Sequence, residues 1–131
     1  MASEAAEVLA GFWRAMAGND FEAVARDWFR SDAVIDWPQS GERMGPDAWG
    51  RINRDYPAEG PWTFEIRRLV GGSGQAVSEV VVRSVSIRAD VISFAEVSGG
   101  RIVTLREWWP ERYPAPGARA SEVQAMPERD R

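Results

Sequence analysis

Residues 62–74 read Trp62-Thr-Phe-Glu-Ile-Arg-Arg-Leu-Val-Gly-Gly-Ser-Gly74. Trp62, Phe64, Ile66, Arg68 and Val70 fall on alternate positions and share one mostly apolar face, the period-two pattern of a strand. Gly71 to Gly74 gives the backbone freedom of a hairpin turn. It is no phosphate loop, because a strand follows it rather than a helix N-terminus. The alternation then continues. Residues 76–88 predict a second strand and 90–97 a third, and Gly99-Gly100 turns the chain into a fourth over 101–109.

Upstream of residue 57 the apolar period is 3.6 instead of 2. Ala5, Val8, Leu9, Phe12, Trp13 and Met16 recur every three or four residues, the spacing of an amphipathic helix. Ser3 suits its N-cap, Glu4 and Glu7 suit its positive end, and Gly18 marks its stop. Asn19 or Asp20 caps a second helix bearing Phe21, Val24, Ala25 and Trp28. Ala33 to Trp37 reads as a short strand closed by Pro38. Pro46 opens a third helix with Trp49, Ile52 and Tyr56 on one side, which stops before Pro57. Helices followed by a meander predict an α+β fold, a curved antiparallel sheet wrapped around N-terminal helices with a mouth between them. From Pro110 onward no apolar pattern is sustained.

At 131 residues the chain is expected to form one domain, residues 1–116, followed by a C-terminal tail, 117–131. No apolar run approaches the ~18 residues of a membrane helix. The start of the chain is acidic where a secretory signal is basic, so a cytoplasmic protein with no membrane partner is expected. Net charge is −4 and the sixteen basic residues are scattered, which argues against nucleic acid. The sequence has no Cys, no His and no Lys. These absences remove thiolate and Schiff-base chemistry, Ser-His-Asp hydrolysis and Cys- or His-held metals. No cofactor or metal is expected. Any catalysis must use carboxylates, Arg, Tyr, hydroxyls or the backbone. Seven Trp residues are a large aromatic load, divided between core and the walls of a pocket.

The two short helices, Asp32-Ala-Val-Ile-Asp-Trp-Pro38, Gly45-Pro-Asp-Ala-Trp49 and Gly100-Arg-Ile-Val-Thr-Leu-Arg-Glu-Trp-Trp109 together resemble the nuclear transport factor 2-like superfamily. More narrowly, they are similar to its SnoaL-like group, which includes polyketide cyclases and ketosteroid isomerases. Trp37 to Arg43, Tyr56-Pro57 and Gly60-Pro61-Trp62 resemble a bacterial subgroup with no assigned reaction. The likeness spans about residues 5–116. It implies a cone-shaped α+β barrel, usually a homodimer, with an apolar pocket between helices and sheet. It also implies which branch chemistries are missing here. The isomerases' oxyanion Tyr falls on Phe12 and their oxyanion Asp on or near Ser93, while their base falls on Asp36 or on Trp37. The epoxide hydrolases' closing-strand Asp corresponds to Glu107, but their Arg and second Asp fall near Val80 and Val82. Scytalone dehydratases depend on His.

Glu107 is the leading candidate for acid–base work. It shares a strand face with Val103, Leu105 and Trp109; the resemblance implies that this face lines the cavity, where a carboxylate between Leu and Trp would be desolvated and weakly acidic. The alternative is a structural charge paired with an Arg. Asp36 is the second candidate, decided by parity, since Asp36 and Trp37 point to opposite faces of a regular strand. If Asp36 faces in, it and Glu107 make a carboxylate pair; if Trp37 faces in, it is a wall. Phe12, Trp13, Trp37, Trp49, Tyr56, Trp62, Ser93, Leu105 and Trp109 complete the expected substrate-binding set. Arg68, Arg83 and Arg88 could reach a carboxylate, and Tyr113 could close over the mouth. Two functions remain open: a metal-free isomerase, cyclase, dehydratase or hydrolase acting on a small apolar molecule, and a module that binds such a molecule or dimerises through the sheet.

Overall fold

In the computed structural model, which describes residues 3–131, Ser3 caps helix α1 (Glu4–Met16) by accepting from the Ala6 N–H at 3.1 Å. The face read from the 3.6 period is the buried one: Ala5, Val8, Leu9, Phe12, Trp13 and Met16 all lie in the core. Asp20 caps helix α2 (Phe21–Trp28) through the Ala23 N–H. The left-handed residue between the helices is Asn19, at φ +57°, and not Gly18. Its side-chain amide clasps Trp62 as a neighbouring strand would. The Trp62 N–H donates to Asn19 Oδ1 at 2.7 Å, and Asn19 Nδ2 donates to the Trp62 carbonyl at 2.9 Å.

Strand β1 (Phe29–Trp37) starts four residues earlier than the sequence pattern suggests. The short β2 (Glu42–Met44) was not anticipated, and helix α3 (Pro46–Asp55) follows it. Strands β3 (Thr63–Gly72), β4 (Gln75–Arg83), β5 (Arg88–Ser98) and β6 (Arg101–Trp108) complete a curved, unclosed six-stranded sheet in the order β2-β1-β6-β5-β4-β3. The expected second strand therefore ends at Arg83 rather than at 88. Pairing is antiparallel except between β1 and β6, which run parallel. Ser73 and Gly74 both take positive φ at the β3–β4 turn, as a two-residue hairpin with right-handed strand twist requires.

Two irregularities reshape the faces that strict alternation assigns. Ile66 pairs with Val80 but Arg68 pairs with Glu79, leaving Arg67 as a bulge. Beyond it the parity of β3 reverses, so Leu69 packs on the core while Val70 is 59% exposed. On β6, Glu96 pairs with Thr104 and Val97 with Ile102, which leaves Val103 unpaired and turns Ile102 into the core. Bulges bend a strand and increase its twist, and here they curl the sheet around α1. The third helix also differs from expectation. Trp49 is buried, but Ile52 is 39% and Tyr56 54% exposed. No helix among the described residues is long and apolar enough to cross a membrane.

Asn19 holds the turn between α1 and α2 to Trp62 at the entry of β3, so Asn19→Ala removes both clasp bonds and leaves a side chain in the left-handed region. A loss of about 1–3 kcal/mol in denaturant unfolding is expected. Asn19→Gly, which accepts the backbone angle, should lose less.

Candidate active site

Alternation on β1 places Ala33, Ile35 and Trp37 toward the helices and Asp36 on the opposite face. On β6 the same rule turns Leu105 and Glu107 inward and Arg106 outward, downstream of the Val103 bulge. Register then aligns one row of inward residues across the sheet. Trp37 lies one step beyond the Asp36–Arg106 pair, beside Glu107; Glu107 pairs with Ser93, and Ser93 with Ser78.

That row is polar in an otherwise apolar interior. Glu107 is 2% exposed, Ser93 0% and Ser78 1%. The Ser93 hydroxyl donates to Glu107 Oε2 at 2.8 Å, and Trp37 Nε1 donates to Oε1 at 3.3 Å. Next along, Trp13 Nε1 reaches down from α1 to Ser78 Oγ at 3.0 Å. Among the described residues, no guanidinium pairs with Glu107. It is not the Arg-paired structural charge that was the alternative. Burial pushes its carboxyl above the ordinary range, and the hydrogen bonds from Ser93 and Trp37 oppose that rise.

Asp36 does not join Glu107. It lies on the outer face, bonded by Arg43 at 2.7 and 3.0 Å and approached by Arg106 at 3.6 Å. Those guanidiniums, the Arg43 hydrogen bonds foremost, hold its carboxyl below the ordinary range. Parity thus resolves in favour of Trp37 as the inward residue, and no carboxylate pair forms.

The remaining candidates divide by depth. Phe12, Trp13, Trp49 and Leu105 are core residues, no more than 2% exposed, and Phe12 stacks edge-on against Trp13 and Phe29. Trp37, Trp62 and Trp109 are half-buried against that core. Tyr56 is largely exposed, its ring 5.8 Å from that of Trp62. Tyr113 is 73% exposed and closes over nothing. Arg83 pairs with Glu65, and Arg88 with Asp90 and Glu128, all away from Glu107. A groove of about 540 Å³ lies on the outer face, bordered by Val34, Asp36, Arg43, Phe94, Glu96 and Arg106. It is on the other side of the sheet from Glu107. Sequence reasoning missed Ser78, although its place between Ala76 and Val80 on an alternating strand marks an inward hydroxyl.

Residues 9–105 match the model of the SnoaL-like domain. The chain belongs to the SnoaL-like family. The match takes in Trp37, Ser78 and Ser93 and ends two residues before Glu107. Among solved structures, the SnoaL-like chain is similar to a candidate ketosteroid isomerase from Kribbella flavida, with 25% identity and a TM-score of 0.83 over 95% of this chain and 90% of that one. It is also similar to a nuclear transport factor 2-like protein of unknown function from Burkholderia xenovorans, with 29% identity and a TM-score of 0.75 over 95% of this chain and 96% of that one. IdmH, a candidate polyketide cyclase from Streptomyces antibioticus, shares the fold at 20% identity and a TM-score of 0.67, over 77% of this chain and 88% of that one. No curated protein matches the chain in sequence.

A carboxyl whose folded pKa lies above its unfolded value binds more protons in the native state. Stability therefore falls as pH rises from the ordinary carboxylate value, about 4.3, through the raised folded value. Glu107→Gln can keep both bonds, accepting from Trp37 and donating to Ser93, without the titration. Chemical unfolding at a series of pH values should show the Gln variant gaining on the wild type as pH rises and levelling off once Glu107 is ionised. Ser93→Ala removes a donor to the carboxylate, so it should raise the Glu107 titration further, read from its side-chain carbonyl ¹³C shift.

Proposed function

We propose that this SnoaL-like protein is a metal-free, cofactor-free enzyme in which Glu107 transfers a proton to or from a small apolar substrate, as an isomerase, cyclase, dehydratase or hydrolase. The observation that carries this reading is a fully buried carboxylate with two hydrogen-bond donors and no counter-cation. Burial raises the proton affinity of such a group, the direction a general acid requires. When the proton leaves, the carboxylate is already solvated by Ser93 and Trp37, so little reorganisation accompanies the transfer. On this reading Trp37, Trp62 and Trp109 are the aromatic walls, with Phe12, Trp13, Trp49 and Leu105 as the apolar floor. Asp36 is left out of the chemistry. A ligand reaches Glu107 by displacing half-buried walls, Trp37 first, since the indole covers one carboxylate oxygen.

One feature favours a second reading, a binding module without turnover. The two donors beside Glu107, Trp37 and Ser93, are spent on its carboxylate, so neither is free to stabilise charge developing on a substrate. The protein on either reading acts in the cytoplasm, on neither nucleic acid nor membrane. It is a homodimer through the sheet, where Ile92 and Phe94 stand 37% and 47% exposed on the outer face.

A thermal-shift screen of wild type and Glu107→Gln against steroid-like, polyketide-like and other small apolar compounds separates the two. A ligand at one hundred times its Kd stabilises by ~2.7 kcal/mol. The enzyme reading expects hits that weaken in Glu107→Gln and turnover that this variant abolishes. Equal binding by both proteins without turnover supports the module. A complete absence of hits in the wild type overturns both.

A further inference from the structure

Three guanidiniums from separate parts of the chain meet on one main-chain oxygen. Arg67, the bulged residue of β3, donates to the Arg131 oxygen at 2.8 Å, Arg88 at the start of β5 donates to it at 2.8 Å, and Arg112 beyond β6 at 3.1 Å. A main-chain oxygen has two lone pairs, so three such donors exceed what it accepts. Arg67 donates as well to the Arg129 oxygen at 2.6 Å. Arg112 donates to Glu128 Oε1 at 2.6 Å, and Arg88 approaches that same oxygen at 3.4 Å.

The body of the protein answers this charge only in part. Apart from residues 128–131, the carboxylate at the three arginines is Asp90, 3.4 Å from Arg88 and 3.5 Å from Arg112. The Arg88 and Arg112 side chains are only 25% and 32% exposed, so water screens them less than an open surface would. The Arg88 Nε is buried and has no acceptor among the described residues. Donors and positive charge are therefore in surplus here. What fills the site comes from far along the chain, because residues 113–127 are exposed throughout before 128–131 meet the arginines.

We propose that Arg67, Arg88 and Arg112 form a binding site for a small molecule bearing two oxyanion groups, and that residues 128–131 fill it as an internal competitor. The Glu128 carboxylate stands in for one group and the Arg131 oxygen for the other. Planar guanidinium forks pair with carboxylate and phosphate oxygens alike, so a dicarboxylate and a diphosphate share the chemistry required. Arg88 and Asp90 alternate along β5 with the inward Val91 and Ser93, which puts the site on the face away from Glu107. It does not depend on how Glu107 functions.

Glu128→Ala in the full chain removes the competing carboxylate. Calorimetric titrations at low ionic strength with succinate and with pyrophosphate test the site, alongside the NMR signals of the arginine Nε–H groups. At least one probe should bind Glu128→Ala about tenfold more tightly than the wild type, because a competitor lowers apparent affinity by the fraction of sites it leaves free. Binding of succinate alone assigns a dicarboxylate ligand, and binding of pyrophosphate alone a phosphorylated one. Adding Arg67→Gln and Arg112→Gln to Glu128→Ala should abolish binding, with unchanged Val80 methyl signals reporting an intact core. No saturable binding of either probe to Glu128→Ala would overturn the site, as would binding that survives loss of the two arginines. Equal affinity in wild type and Glu128→Ala would overturn the competition.

Discussion

The sheet curls over helix α1 where three of its strands, β1, β3 and β6, carry more residues than their neighbours can pair. Arg67 on β3 and Val103 on β6 absorb the mismatch, and the strands bend where they do so. The bend brings Leu69 and Ile102 onto the core and lets Phe12 and Trp13 sit against the concave face. It also sets the parity of everything downstream. Without the Val103 bulge, a strand that buries Ile102 would have turned Glu107 to solvent and Arg106 into the core.

Charge is then sorted by face. The arginines lie on the outer surface or at the edges, where they pair with Asp36, Glu65, Asp90 and Glu128. The concave face keeps one carboxylate, and its partners are neutral donors. A guanidinium would have fixed Glu107 as a permanent anion. A hydroxyl and an indole N–H satisfy its oxygens while leaving its proton affinity high. The two acidic candidates of the sequence thus diverge by environment, one held below and one above the ordinary range.

The fold was largely legible because helix and strand periods differ, and the change between them is abrupt near residue 57. Alternation gave Glu107 its face-mates and the family resemblance turned that face inward, while the choice between Asp36 and Trp37 was legible as a matter of parity. The bulges were not, because an extra residue has no signature of its own in an alternating pattern. Val70 and Ile102 were accordingly assigned to the wrong faces. Ile52 and Tyr56 fit a helical stripe, but α3 is short and lies at the sheet's end, so only Trp49 finds neighbours to bury it. The Glu107–Ser93–Trp37 contact needed strand register, which couples residues 14 and 70 positions apart and which no local pattern carries. The return of the C-terminal segment to Arg67 and Arg88 was invisible for a related reason. It is held by charges and main-chain oxygens, and these leave no hydrophobic period to read.

The indole on Glu107 makes the two carboxyl oxygens inequivalent. An indole N–H can donate but never accept, so Oε1 is an acceptor in either protonation state. A hydroxyl can reverse its role. When the acid is neutral, its hydrogen belongs on Oε2 and points to the Ser93 oxygen. The carboxyl therefore has a fixed handedness with respect to the sheet. A hydrogen on the neutral acid is thus directed along the sheet to Ser93 and away from the indole.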